Sequence, residues 1–167
     1  MSVLVKDSQY CKNCPYRLYQ KDTAIVKKGQ GNIAGNGIII VKNEKDINIM
    51  EQLYKSLTNR EIYEDFYILH MFKCKYSREL RFDRQAGRCC VGNVLNEIKN
   101  VPAYNVFVFG TTAMNFIAEY INNSRNTYTG HYYHFINYEP NWYNSSNIVL
   151  RDTFIKEFRE HLLESIY

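Results

Sequence analysis

Five cysteines, unevenly spaced, constrain this 167-residue chain more than any other feature. Two form Cys11-Lys-Asn-Cys14, followed at once by Pro15, and the other three bracket the stretch KCKYSRELRFDRQAGRCC from Lys73 to Cys90. A Cys-x2-Cys puts two thiolates on one turn, where both reach the same metal. Fifteen residues separate Cys74 from Cys90, a spacing that suits the second half of such a site. Four thiolates serve either zinc or an iron–sulfur cluster. The plainer alternative is a set of buried thiols packed as small apolar side chains. The start, MSVLVKDSQYCKNC, lacks the layout of a signal peptide, and no apolar run approaches the roughly 18 residues of a membrane span. A cytoplasmic protein with no membrane partner is therefore expected. In that compartment spaced cysteines are metal ligands more often than disulfides.

Apolar runs and helical periodicities alternate along the rest of the chain, which reads as a single domain over 1–167. Residues 27–37 hold a cluster of glycines and form a loop. Out of it comes Gly37-Ile-Ile-Ile-Val41, a β-branched run suited to a strand buried on both faces. Ile47, Met50, Leu53, Tyr54 and Leu57 recur at helical spacing, which predicts an amphipathic helix over 46–58. Phe66 to Phe72 reads as the second strand. Val91, Val94, Leu95 and Ile98 mark a helix ending before Pro102, and Asn105–Phe109 is the third strand, stopped by Gly110. Thr111 and Thr112 open a further helix; Tyr132–Tyr138 reads as the fourth strand and Phe154–Ile166 as the last helix. This order predicts a three-layer α/β/α domain around a central, mainly parallel four-stranded sheet. Ligands of such sheets bind beyond the carboxyl ends of the strands, here 42–46, 73–76, 110–112 and 139–142.

The net charge of +4 permits a nucleic-acid partner without requiring one, since clustering on a face decides. Clustering occurs between 73 and 88, where Lys73, Lys75, Arg78, Arg81, Arg84 and Arg88 face only Glu79 and Asp83. Tyr76 and Phe82 lie among them. Cations neutralise phosphates and aromatic rings stack on unpaired bases; an ordinary solvated loop is the competing reading. The turn Gly110-Thr111-Thr112, between strand and helix, offers backbone N–H groups to a phosphate. His131 and His134 fall on opposite faces of an alternating strand and cannot share a metal.

Taken together, Cys11-Lys-Asn-Cys14, Val26-Lys-Lys-Gly-Gln-Gly-Asn32, the strand Ile38–Val41, Tyr67-Ile-Leu-His-Met-Phe-Lys-Cys74, Cys90 with Val94-Leu95, and Pro102-Ala-Tyr-Asn-Val-Phe-Val-Phe-Gly-Thr-Thr-Ala113 resemble the iron–sulfur branch of the uracil-DNA glycosylase superfamily. The resemblance runs nearly end to end, and its specific part is Cys-x2-Cys…Cys-x14–17-Cys. It implies a uracil-DNA glycosylase-like fold with a [4Fe–4S] cluster on Cys11, Cys14, Cys74 and Cys90, zinc being the alternative, and it leaves Cys89 without a role.

Where the chain departs from the family, the departures fall on the chemistry. The family's Gly-Glu-Ala/Gly-Pro-Gly turn after the first strand is replaced by Lys42-Asn43-Glu44-Lys45-Asp46. The loop carrying the uracil-stacking aromatic is missing, His70 stands where an Asn reads uracil, and the final His-Pro aligns with Glu139-Pro140. A glycosylase spends a few kcal/mol on extruding the base. It also stabilises an anionic leaving base, where losing one donor costs about 3 kcal/mol; Glu139 would put negative charge there instead. Asn43, Asp46, His70 and Glu139 are therefore read as degenerate positions, and the expectation is a protein that has lost the activity. It would bind nucleic acid, DNA foremost, or a host or viral protein that processes it. The abundance of Asn, Ile, Lys, Phe and Tyr fits AT-rich coding, as in viruses of low-GC bacteria. Two other readings stand beside it: an active DNA glycosylase of altered base specificity, in which Glu139 or Asp46 positions water, and a protein-interaction module stapled by the cluster.

Overall fold

A computed structural model describes residues 2–3, 26–72, 80–123 and 130–164. Strands β1 (Ser2–Val3) and β2 (Val26–Lys27) pair antiparallel in a small sheet of their own. The main sheet is built from β3 (Gln30–Gly31), β4 (Gly37–Val41), β5 (Phe66–His70), β6 (Asn105–Phe109) and β7 (Tyr132–Ile136), in the order β3-β5-β4-β6-β7. The last four are mutually parallel and β3 runs antiparallel to β5. The sheet is thus five-stranded and mixed, against the four mainly parallel strands expected. The extra strand comes from the glycine-rich loop. Gly31 has φ +119°, and a Cβ there would lie 2.1 Å from the Phe66 carbonyl oxygen, so only glycine brings this backbone alongside β5.

The four longer helices fall where the periodicity places them, three of them with earlier starts, and a short fifth helix is additional. They are α1 (Glu44–Thr58), the short α2 (Ile62–Asp65), α3 (Leu80–Ile98), α4 (Thr111–Asn123) and α5 (Ile148–Arg159), which runs into a π-helical turn, Glu160–Glu164. α1 begins two residues before the apolar pattern because the Asn43 side chain accepts the Asp46 N–H at 3.1 Å and caps it. α3 begins well inside the basic stretch, so Arg81, Arg84 and Arg88 lie on a helix rather than a loop.

Period-two alternation sorts the central strands between two cores. Ile38, Ile40, Leu69, Val106 and Val108 face one side, under Val91, Val94, Leu95 and Ile98 of α3 and Ile117 of α4. Ile39, Val41, Ile68, Phe107 and Phe109 face the other, under Met50, Leu53 and Tyr54 of α1 and Phe154 and Phe158 of α5. Both faces of β4 are sealed, which is why its run is apolar throughout. Each buried Ile or Leu contributes roughly 1.5–3 kcal/mol relative to exposure, and this burial holds the sheet's carboxyl edge in place.

Candidate functional site at the carboxyl edge of the sheet

From β4 the chain crosses through α1 to β5 on one side, while β6 lies on the other. The carboxyl ends of β4 and β6 therefore flank the crevice where ligands of parallel sheets bind. Three segments meet there. After β4, Asn43 caps α1 and Asp46 is buried behind it. After β6, Gly110 turns the chain with φ +93° into Thr111 and α4. After β7, Glu139 reaches across: its Oε1 accepts the Thr111 N–H and the Thr111 hydroxyl, each at 2.9 Å. A Cβ on residue 110 would lie 2.6 Å from Glu139 Oε2, so glycine is needed for conformation and for space.

The site's electrostatics are acidic. The Asp46 carboxyl is held above the usual carboxylate range, first by burial and second by the charge of Glu139. N–H groups of Lys42 and Asn43 pull the other way and are outweighed. Glu139 lies against the first turn of α4 through its two bonds from Thr111. The crevice therefore holds two carboxylates in different settings. One is half-buried and bound to Thr111; the other is buried and disposed to keep a proton. Such a pair can position water or exchange a proton, but it repels phosphates and does not stabilise a leaving anion.

Of the four degenerate positions, three converge on this crevice: Asn43, Asp46 and Glu139. His70, the last residue of β5, is buried with Nδ1 2.9 Å from the Phe72 carbonyl. It lines a separate cleft of about 150 Å³ with Lys28, Glu44, Glu51 and Tyr63. Gly110-Thr111-Thr112, read as a phosphate turn, already has Thr111 bonded to Glu139, so a phosphate would have to displace that carboxylate. Nothing in the sequence marks the Thr111 hydroxyl as a partner of Glu139, because no local pattern joins residues in different turns.

Among the proposed cluster ligands, Cys11, Cys14 and Cys74 lie outside the described residues. Cys90 is buried on the inner side of α3 in the same core as Phe72, and Cys89 is half-buried beside it. Among the described residues no three of His, Cys, Asp or Glu are grouped to hold a metal ion. Lys73, Lys75 and Arg78 also lie outside; Arg81 is in the first turn of α3. Arg84 and Arg88 are exposed, and Arg88 Nε pairs with Glu119 Oε1 at 3.2 Å. The two histidines do point apart. His131 Nε2 lies 2.8 Å from the Val101 carbonyl and His134 Nε2 lies 3.1 Å from Asn105 Oδ1. Among the described residues no helix is long and apolar enough to cross a membrane.

No protein-family model matches the chain, and no curated protein is similar to it.

Proposed function

We propose that this chain is a catalytically degenerate, uracil-DNA glycosylase-like iron–sulfur protein of three-layer α/β/α architecture. Its role is to bind nucleic acid, DNA foremost, or a protein that processes it. The observation that carries the reading is Glu139. It stands where the resemblance puts a catalytic histidine, and it spends its carboxylate on Thr111 at the head of α4. Beside it Asp46 adds a second acid where a departing uracil anion and DNA phosphates would need positive or neutral donors. The scaffold order β5-β4-β6-β7, all parallel, accords with the same ancestry.

In this reading Cys11, Cys14, Cys74 and Cys90 hold a [4Fe–4S] cluster that ties the N-terminal segment to α3 and supplies no chemistry. The exposed Arg84, with Arg78 and Arg81 near it in sequence, meets phosphates along the basic stretch. One observation favours the runner-up, an active glycosylase of altered specificity. A buried carboxyl that holds its proton more readily than usual is what a general acid needs.

The test is incubation with uracil-containing DNA followed by alkali, alongside binding to the same DNA at several salt concentrations. The strand should stay intact while affinity falls with salt, by a slope of about 0.9 per neutralised duplex phosphate. Scission lost in Asp46→Asn would overturn the degenerate reading in favour of the active one. Binding unaffected by salt and by Arg78→Ala, Arg81→Ala and Arg84→Ala together would point to the protein-interaction module.

A further inference from the structure

The end of the parallel strands opposite the crevice carries an aromatic surface. Tyr104, one residue before β6, is 62% exposed, and Tyr132, the first residue of β7, is 54% exposed. The Tyr132 N–H donates to the Tyr104 carbonyl at 3.0 Å, which fixes the two residues beside each other. Their ring centroids lie 6.3 Å apart, with planes 24° apart. Ile33, half exposed, adjoins them, because its carbonyl accepts the Ala103 N–H at 3.1 Å. Single exposed apolar side chains are ordinary, whereas a contiguous exposed group marks a contact surface.

Tyr132 is also braced. His134 meets its ring edge-on at a centroid distance of 4.8 Å and itself stacks on the buried Phe107 ring at 4.7 Å. A ring held in this way loses little freedom when something binds to it. The charge around the pair suits an anion. Between Ile98 and Tyr138 the one acidic residue is Glu119, and Arg88 pairs with it at 3.2 Å. Lys99, exposed, leads from α3 into this edge. Beyond the Ile33 loop, Glu64 and Asp65 are both paired with Arg60, at 3.3 and 2.8 Å.

We propose that Tyr104 and Tyr132 form a stacking platform for the unpaired bases of single-stranded DNA, with Lys99 meeting its phosphates. The inference rests on the nucleic-acid reading above and adds to it the strand form and a contact surface apart from the basic stretch. The 6.3 Å between the ring centroids is close to twice the rise per base of a stacked strand, roughly 3.4 Å. Successive bases therefore take one ring each only in an unstacked, extended strand. A duplex keeps its base faces inside its own stack and offers none to the rings. Every base has a π-face, so the platform is indifferent to sequence. The scarcity of acids beside the rings selects a polyanion over an apolar protein surface, for which it brings nothing.

Fluorescence anisotropy of the intact protein reads the platform with three labelled probes of about 12 nucleotides: a dT strand, its duplex with dA, and an abasic strand. Tyr104→Ala and Tyr132→Ala should each weaken the dT strand roughly tenfold, leave the duplex and the abasic strand unchanged, and keep the parent's circular dichroism spectrum. Tyr104→Phe retains the ring and should bind as the parent does. Lys99→Ala should lower the single-strand salt slope by about 0.7. Replacing Arg78, Arg81 and Arg84 together by Ala tests the basic stretch instead and should weaken all three probes. A dT affinity unchanged in both tyrosine-to-alanine variants overturns the platform and leaves the nucleic-acid reading standing. So does a loss shared equally by the duplex and the abasic strand, a Tyr104→Phe variant as weak as Tyr104→Ala, or a salt slope unmoved by Lys99→Ala. A parent that binds none of the probes overturns the platform and the nucleic-acid reading together, including the case where the tyrosines instead join a second copy and the sedimentation mass rises with concentration.

Discussion

Asp46 and Asp65 flank the same α1 core, yet their surroundings pull the two carboxyls in opposite directions. Around Asp65, Arg60 donates from Nε at 2.9 Å and from its terminal nitrogen at 2.8 Å, and the Tyr54 hydroxyl donates at 2.5 Å. The Arg60 hydrogen bonds are the main cause that holds this carboxyl below its ordinary 3.8. Asp46 is held above 3.8, chiefly by burial. The signs follow from proton linkage. A lowered native pKa stabilises the fold above 3.8 and is lost as pH falls through the native value. A raised native pKa costs stability at neutral pH and returns it as pH falls through the native value toward 3.8. Asp65→Asn should therefore lower the urea midpoint at about pH 7 and converge with the parent in acid, whereas Asp46→Asn should raise it at about pH 7 and converge near pH 4. An Asp46→Asn protein less stable than the parent at neutral pH would mean that the Lys42 and Asn43 N–H groups outweigh burial and the charge of Glu139. Neither setting was legible in sequence: residues 46 and 139 are brought together only by the sheet order β4-β6-β7, and nothing local marks Asp46 as buried.

Between elements, the crossing of α3 and α4 turns on one glycine. Gly87 is buried, and a Cβ there would lie 2.3 Å from two atoms of the Phe116 ring, which Phe72 backs edge-to-face at a centroid distance of 6.3 Å. Two effects oppose each other in Gly87→Ala. Helix propensity favours alanine by about 1 kcal/mol; displacing a packed ring costs roughly 1–3 kcal/mol. The ring has a neighbour behind it, so packing should win and stability should fall by about 1 kcal/mol, or roughly 2–4 °C in Tm. In a Phe116→Ala background only propensity remains, and the same change should become neutral or stabilising. A single variant with raised Tm would show that the ring swings aside at no cost. The strands were legible because β4, β5 and β6 are short, β-branched or aromatic, and apolar on both faces, a pattern that suits a strand sealed between two layers and little else. The start of α3 was not. Its first turns carry Arg, Asp and Gln, which resemble a solvated loop although several are good helix formers. β3 is invisible in the sequence because a two-residue edge strand leaves no periodicity to read.

On the scale of the whole molecule, the cysteine spacing remains the feature with the longest reach. The chain leaving β2 is already fastened to α3: Glu97 Oε2 accepts the Gly29 N–H and the Tyr67 hydroxyl, each at 2.6 Å. The helix so fastened carries Cys89 and Cys90. Neighbours on a helix point about 100° apart, and here Cys90 is buried toward the sheet while Cys89 is half-buried. A cluster spanning Cys14 and Cys74 would close a loop of about 60 residues and, by the chain-entropy argument for cross-links, stabilise the fold by roughly 4 kcal/mol. For a chain of this length that corresponds to roughly 10 °C in Tm. Protein purified without oxygen should accordingly be brown. Cys90→Ser should lose both the colour and most of that thermal stability, while Cys89→Ser should keep both. A colourless parent containing one zinc per chain would keep the staple but replace its metal. Equal losses in the two serine variants would assign the fourth ligand to the pair rather than to Cys90. A parent with no metal at all, and as stable as its Cys90→Ser variant, would reduce the five cysteines to ordinary core residues and remove the strongest support for the proposed ancestry.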